Sequence, residues 1–269
     1  MPTGSSRPLL TTSPSTSRVS YKPVPDEAVP RTYLEHSNDH RLPRYGAADH
    51  GFAPSTTALA TDPQPVHWYH LYAGDVAGGS WQQIAGEHFE ALRTAEFPGE
   101  VHVGIIGKDQ ARVSSWLDMA WPGWTAATGA RFGYEQVTLY SLHEWSQGVA
   151  PNTPVLYAHT KGVWRSSHHQ GLWRRCMQDT CVTGWRQCVA KLIEGYDVTG
   201  AHYLMPDDRA VGVPMMAGNY WWTTAGYLSG LPHPRIRDRY DAEAWVGLDD
   251  PLVYDFQPYG WPQHPHDLA

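Results

Sequence analysis

The chain has 269 residues, 41% of them hydrophobic and 17% charged, which is the composition of a globular protein and excludes a wholly disordered one. A net charge of −7 without any basic run excludes a nucleic-acid binder held by phosphate contacts. No apolar stretch approaches the ~20 residues of a membrane span, and the length allows one large domain or two small ones.

Residues 1–65 begin MPTGSSRPLLTTSPSTS, without the long apolar segment of a secretory signal, so a cytoplasmic location is expected. Six basic residues (Arg7, Arg18, Lys22, Arg31, Arg41, Arg44) cancel six acidic ones (Asp26, Glu27, Glu35, Asp39, Asp49, Asp62) among abundant Ser, Thr and Pro. Such a segment buries too little apolar surface to offset its ordering entropy. It reads as a disordered leader, with a short docked piece near Tyr33–Leu34. All 13 Trp lie at or after Trp68, so the compact domain is expected over residues 66–260, followed by a short tail, 261–269.

Within that domain strand and helix patterns alternate. Val66–Tyr72 (VHWYHLY) is a strand, ended by the Gly-rich loop AGDVAGG, with His67 and His70 on opposite faces. Ser80 can cap a helix whose apolar stripe is Trp81, Ile84, Phe89 and Leu92. Pro98–Gly99 breaks it, and Val101–Ile106 is a second strand. A helix around Ala111–Met119, a Gly/Trp-rich connection and a helix over Gln136–Gln147 follow. Val155–His159 is a short buried strand after the turn PNTP. Two helices fit between His169 and Glu194, the second carrying Val182, Trp185, Val189 and Leu192, and Asp197–Tyr203 is a further strand. This alternation predicts an α/β fold with a mainly parallel sheet covered on both faces. Ligands of such sheets gather at the carboxyl ends of the strands, here Ala73–Gly79, His159–Val163 and the segment after Tyr203.

Cys176, Cys181 and Cys188 lack CxxC spacing and read as reduced thiols. The 15 His include no HExxH, and no metal ligand is assigned. Three segments carry chemistry. Leu156–Gly162 (LYAHTKG) ends a buried strand in His159, Thr160, Lys161 and Gly162; the ammonium can hold a diphosphate and the glycine permits close backbone approach, against the alternative of a solvated turn. In Met215–Trp222 (MMAGNYWW), Gly218 and Asn219 precede Trp221 and Trp222, whose indoles suit either a sugar-covering wall or a buried wedge. In Arg239–Trp245 (RYDAEAW), Asp241 and Glu243 point differently in helix or strand; one can act as a general base, or both can belong to a solvated helix start.

Read in order, LYAHTKG, AGNYWW-TTAGYLSGLP and RYDAEAWVG resemble a family of small bacterial and viral glycosyltransferase-like proteins with the motifs YxHTKG, GN[FY]WW and RYxAExWxG. The strand HLY and Trp81 are similar to that family's opening. The resemblance spans about residues 66–257 and implies a GT-A-like nucleotide-diphospho-sugar transferase fold that builds polysaccharide or decorates glycans. Its partners would be a nucleotide-diphospho-sugar donor and a glycan or small-molecule hydroxyl acceptor. Many such enzymes hold Mn²⁺ or Mg²⁺ with an Asp-x-Asp pair; this chain has Ala158-His159-Thr160-Lys161 at the corresponding place, so the cofactor stays open. The implied arrangement puts Tyr72 and Asp75 near the base or ribose and Thr160 and Lys161 at the diphosphate. Asn219, Trp221 and Trp222 form the sugar wall, and Glu243, or secondarily Asp241, is the base. Three rivals remain: an inactive nucleotide- or glycan-binding module, a hydrolase using His159 with Asp241 or Glu243, and a partner-binding protein acting through the leader.

Overall fold

In the computed structural model, which describes residues 64–74, 80–161, 163, 168–204, 214–235 and 240–256, the opening strand is β1 (Val66–Tyr72). It is buried on both faces, as a central parallel strand must be. Helix α1 (Trp81–Thr94) starts where Ser80 Oγ accepts the Gln83 N–H, and its expected stripe of Trp81, Ile84, Phe89 and Leu92 is buried. Strand β2 (Glu100–Ile106), helix α2 (Gln110–Ala120), helix α3 (Gln136–Ser146) and strand β4 (Pro154–His159) also fall where the sequence pattern puts them.

Four departures have local causes. The Gly/Trp-rich connection contains an edge strand, β3 (Thr125–Ala130), whose residues TAATGA are too small and too exposed to leave a period-2 hydrophobic mark. The two helices α4 (His168–Gln178) and α5 (Trp185–Ile193) are joined by a π-helical turn, Asp179–Thr183, so Val182 lies in the turn instead of on α5. The strand expected over Asp197–Tyr203 is split into β5 (Val198–Gly200) and β6 (Tyr203–Leu204). His202 takes φ +67° at the break, and the Asp255 carboxylate accepts the N–H groups of His202 (3.1 Å) and Tyr203 (2.9 Å). The two indoles of the aromatic motif open a strand, β8 (Trp221–Thr224), after a short β7 (Met215–Met216).

Helices α6 (Ala225–Gly230) and α7 (Tyr240–Ala244) and strand β9 (Val253–Asp255) complete the described elements. The sheet order is β3-β2-β1-β4-β8-β5-β9, parallel throughout except for β8, and β6 pairs with β7 in a separate antiparallel ribbon. Two apolar layers flank it. Tyr69, Leu71 and Trp222 pack with α1, α2 and α5 on one face. Val66, Trp68 and Trp221 pack with α3, α6 and α7 on the other. The fold is therefore α/β, a mainly parallel sheet flanked by helices, which is what the GT-A-like expectation required. The leader, apart from Gln64 and Pro65, and the tail 261–269 lie outside the described residues. All three cysteines are free, Cys181 and Cys188 buried and Cys176 partly so. No helix among the described residues is long and apolar enough to cross a membrane.

Candidate functional site

The three chemical segments meet at one end of the sheet, and the topology explains why. β4 ends at His159, at the carboxyl ends of the parallel strands. Because β8 runs antiparallel, with Trp221 opposite Tyr157 and Gly200, the turn that feeds β8 arrives at that same end.

Beyond His159 the Lys161 N–H donates to the His159 carbonyl (2.7 Å), a γ-turn that swings Lys161 off the sheet. Thr160 is buried and spends its hydroxyl on the strand: its N–H donates to His70 O (3.0 Å) and its Oγ1 accepts the Tyr72 N–H (2.9 Å). Thr160 therefore ties β4 to β1, and its hydroxyl is engaged by the neighbouring strand instead of standing free for the expected diphosphate contact. The Lys161 ammonium stands 4.3 Å from the centroid of the Trp173 ring, a cation–π seat, and 3.7 Å from Glu243 Oε1. Glu243 Oε2 accepts the Gly218 N–H at 3.3 Å.

Gly218 sits in the turn closed by Asn219 N–H to Met216 O (2.9 Å), with φ +90° at the position where a type II turn demands glycine. A Cβ there would stand 2.5 Å from Met177 Sδ and 3.2 Å from Trp173. Gly218→Ala is expected to cost on the order of 1–3 kcal/mol, read as a fall in the urea midpoint at unchanged m-value, and to disturb the ring that seats Lys161. Asn219 follows in the left-handed region at φ +55°, which Asn tolerates. Its amide is held on both sides, accepting from Trp221 Nε1 at 2.6 Å and donating to Glu135 Oε2 at 2.6 Å.

Glu135, at the N-terminus of α3, is one of two members of this cluster that sequence reasoning missed. Its carboxyl also lies 3.3 Å from the Tyr157 hydroxyl and 3.1 Å from His159 Nδ1. Burial, reinforced by the nearby Glu243 charge, raises its pKa to about 7. Burial, with Lys161 adding to it, pushes the His159 ring well below the usual histidine range. Trp173 was missed as well; its only local signal is the i, i+4 spacing with Met177 on α4, which puts both under Gly218.

Several expected members stand elsewhere. Trp221 and Trp222 are both fully buried and, as neighbours in a strand, point to opposite faces. Trp221 stacks on Tyr157 (5.0 Å) and Trp222 donates to Cys181 O (2.7 Å), so neither indole forms the expected sugar wall. Asp241, two residues before Glu243 on α7, is turned ~200° away from it at 100° per residue, and takes no part in this network. Tyr72 is partly buried at the end of β1, its ring against Gly74. Asp75 and Gly162 lie outside the described residues. Both His159 nitrogens are engaged, Nε2 with Gly218 O (2.9 Å) and Nδ1 with Glu135, which leaves neither free to activate water as the hydrolase reading requires. Among the described residues no group of three or more His, Cys, Asp or Glu is placed to hold a metal ion.

Residues 68–244 match the family described as Domain of unknown function (DUF8361). The chain belongs to the DUF8361 family. The match encloses every site residue named above from β1 to α7. Among curated proteins none matches this DUF8361 chain in sequence. Among solved structures it is similar to 4-diphosphocytidyl-2C-methyl-D-erythritol synthase from Anaerococcus prevotii, at 10% identity over 74% of this chain and 91% of that one, with a TM-score of 0.41. A second structure of the same name gives 14% identity, 77% and 96% coverage and a TM-score of 0.39. A protein from Desulfovibrio desulfuricans named for nucleotide-diphospho-sugar transfer gives 9%, 73%, 80% and 0.32. Likeness at this level transfers no residue role to the DUF8361 site, which rests on its own geometry.

Proposed function

We propose that this protein transfers a sugar from a nucleotide-diphosphate sugar to the hydroxyl of a glycan, a polysaccharide precursor or a small molecule. One observation carries the reading: Lys161, at the carboxyl end of a central strand, stands 3.7 Å from the Glu243 carboxylate beside the Gly218–Asn219 turn, although these groups come from three distant parts of the chain. A cation and a carboxylate at one strand end suit a reaction that expels a diphosphate and deprotonates an alcohol. The bond from the anomeric carbon to the diphosphate oxygen breaks with its electron pair, and the Lys161 ammonium offsets the charge that grows on that oxygen. The acceptor oxygen bonds to the anomeric carbon, and in an inverting reaction its proton passes to Glu243. Tyr72, which ends β1, and Asp75, three residues further along the chain, would receive the base or ribose, and Gly162, which follows Lys161, would allow close approach of the phosphates.

Thermal stabilisation by UDP-, GDP- and dTDP-sugars, with and without Mn²⁺, identifies the donor, since a ligand bound only to the native state raises its stability by mass action. Calorimetry of the matching nucleoside diphosphate is then expected to show binding at least ~10-fold weaker in Lys161→Ala. That is the equivalent of one charge-assisted hydrogen bond of about 1.5–3 kcal/mol. Unchanged affinity would remove Lys161 from the phosphate site. Tight binding with no sugar transfer to any acceptor would favour an inactive binding module of the same fold.

A further inference from the structure

Beneath the Lys161–Glu243 pair, the hydrogen-bonding groups leave few ways to place their protons. Gly218 O can only accept, so His159 Nε2, 2.9 Å away, carries a hydrogen. Trp221 Nε1 can only donate, which fixes the Asn219 amide with its oxygen toward the indole and its nitrogen toward Glu135 Oε2. The Tyr157 hydroxyl donates to that same carboxyl oxygen at 3.3 Å. What remains is the 3.1 Å gap between Glu135 Oε1 and His159 Nδ1. Two lone pairs facing each other there, with only 16% and 12% of the side chains exposed, would be repulsive and unsolvated. One hydrogen must stand in that gap.

We propose that Glu135 is the positioning residue of this site: it shares a single proton with His159, and the pair clamps the Gly218–Asn219 turn beside Lys161 and Glu243. The clamp grips the turn at two points, His159 on the Gly218 carbonyl and Glu135 on the Asn219 amide, while Glu243 holds the Gly218 N–H from the other side. The proton resides on Glu135 Oε1, because burial opposes charge on either partner, with Lys161 disfavouring an imidazolium and Glu243 disfavouring a second carboxylate. Other titratable groups bearing on the pair are Tyr157 on its own strand, Tyr220 at the turn, His70 on β1 and His88 on α1. Loss of the proton would put a buried carboxylate against an unprotonated ring nitrogen and release the turn. The consequence for turnover rests on the transfer reading; the proton count does not.

Nitrogen-15 NMR of histidine-labelled full-length protein tests this without any assay of activity, the His159 signals being assigned by their loss in His159→Asn. At about pH 6 His159 is expected as the Nε2–H tautomer with Nδ1 accepting a hydrogen bond, and its Nδ1 signal should shift through a transition near pH 7. In Glu135→Gln the amide N–H replaces the acid hydrogen and the amide oxygen still serves Asn219, so the variant should keep the tautomer and lose the transition. An Nδ1–H tautomer, or the same transition in Glu135→Gln, would overturn the proposal whether or not sugar transfer is ever detected. Thermal denaturation supplies a second readout. A carboxyl whose folded pKa is raised to about 7 contributes stability that is full below its unfolded pKa of ~4.3 and is lost as pH rises through 7. The wild-type midpoint should therefore fall across that window relative to Glu135→Gln. Parallel curves would leave Glu135 a packing residue only.

Discussion

Glu243→Gln is expected to slow sugar transfer by at least ~10²-fold, within the ~10²–10⁴-fold that a positioned base contributes, while nucleoside diphosphate binding persists. The substitution is close to isosteric. A glutamine oxygen can still accept the Gly218 N–H that Glu243 Oε2 accepts at 3.3 Å, so the turn stays seated. What is lost is the anion, and with it both the proton acceptor and the partner of Lys161 at 3.7 Å. Freed of that partner, the ammonium should bind a diphosphate no less tightly, so rate and affinity separate. The measurement is single-turnover transfer beside calorimetry on the same variant. A near-normal rate would take Glu243 out of the chemistry, and Asp241 would not replace it, because its position on α7 turns it away from Lys161. A loss of both rate and binding would instead mean that Glu243 holds the site together.

How much of this was legible in the sequence depended on how local each signal was. The strand VHWYHLY, the Ser80-capped helix and the strand ending at His159 declare themselves through periodicity and caps, because each is a short-range pattern. The three motifs hold Lys161, Gly218 and Glu243, which lie in contact in the fold, and the antiparallel entry of β8 supplies the reason. Glu135 and Trp173 left no such trace. Glu135 is a lone acid before a helix, and only the return of β8 brings Asn219 to it from 84 residues away. Thr160 was misread for the opposite reason: a hydroxyl at a strand end looks free in one dimension but is claimed by the neighbouring strand. β3 was missed because small, exposed residues carry no alternation.

Trp221→Ala is expected to remove a large share of the stability of the fold. Truncating a buried Trp costs ~3–5 kcal/mol through lost transfer energy and the cavity left behind, set against a typical net stability of ~5–15 kcal/mol. Trp221 is fully buried between the Tyr157 ring and the Trp245 side, so little can collapse into the space. The change also strips Asn219 Oδ1 of its donor in a fully buried position, an unsatisfied acceptor worth ~1–3 kcal/mol. The two costs share one side chain and need not add. Trp221→Phe separates them, keeping much of the ring volume while removing the N–H. It should lose about 1–3 kcal/mol, and loosen the Asn219 amide from its place between the indole and Glu135. Urea denaturation of the three proteins gives the comparison directly. If Trp221 were instead an exposed sugar platform, truncation would leave the midpoint nearly unchanged and weaken only ligand binding. A stability loss below about 1 kcal/mol in Trp221→Ala would therefore contradict the burial on which the turn, and through it the Lys161–Glu243 geometry, depends.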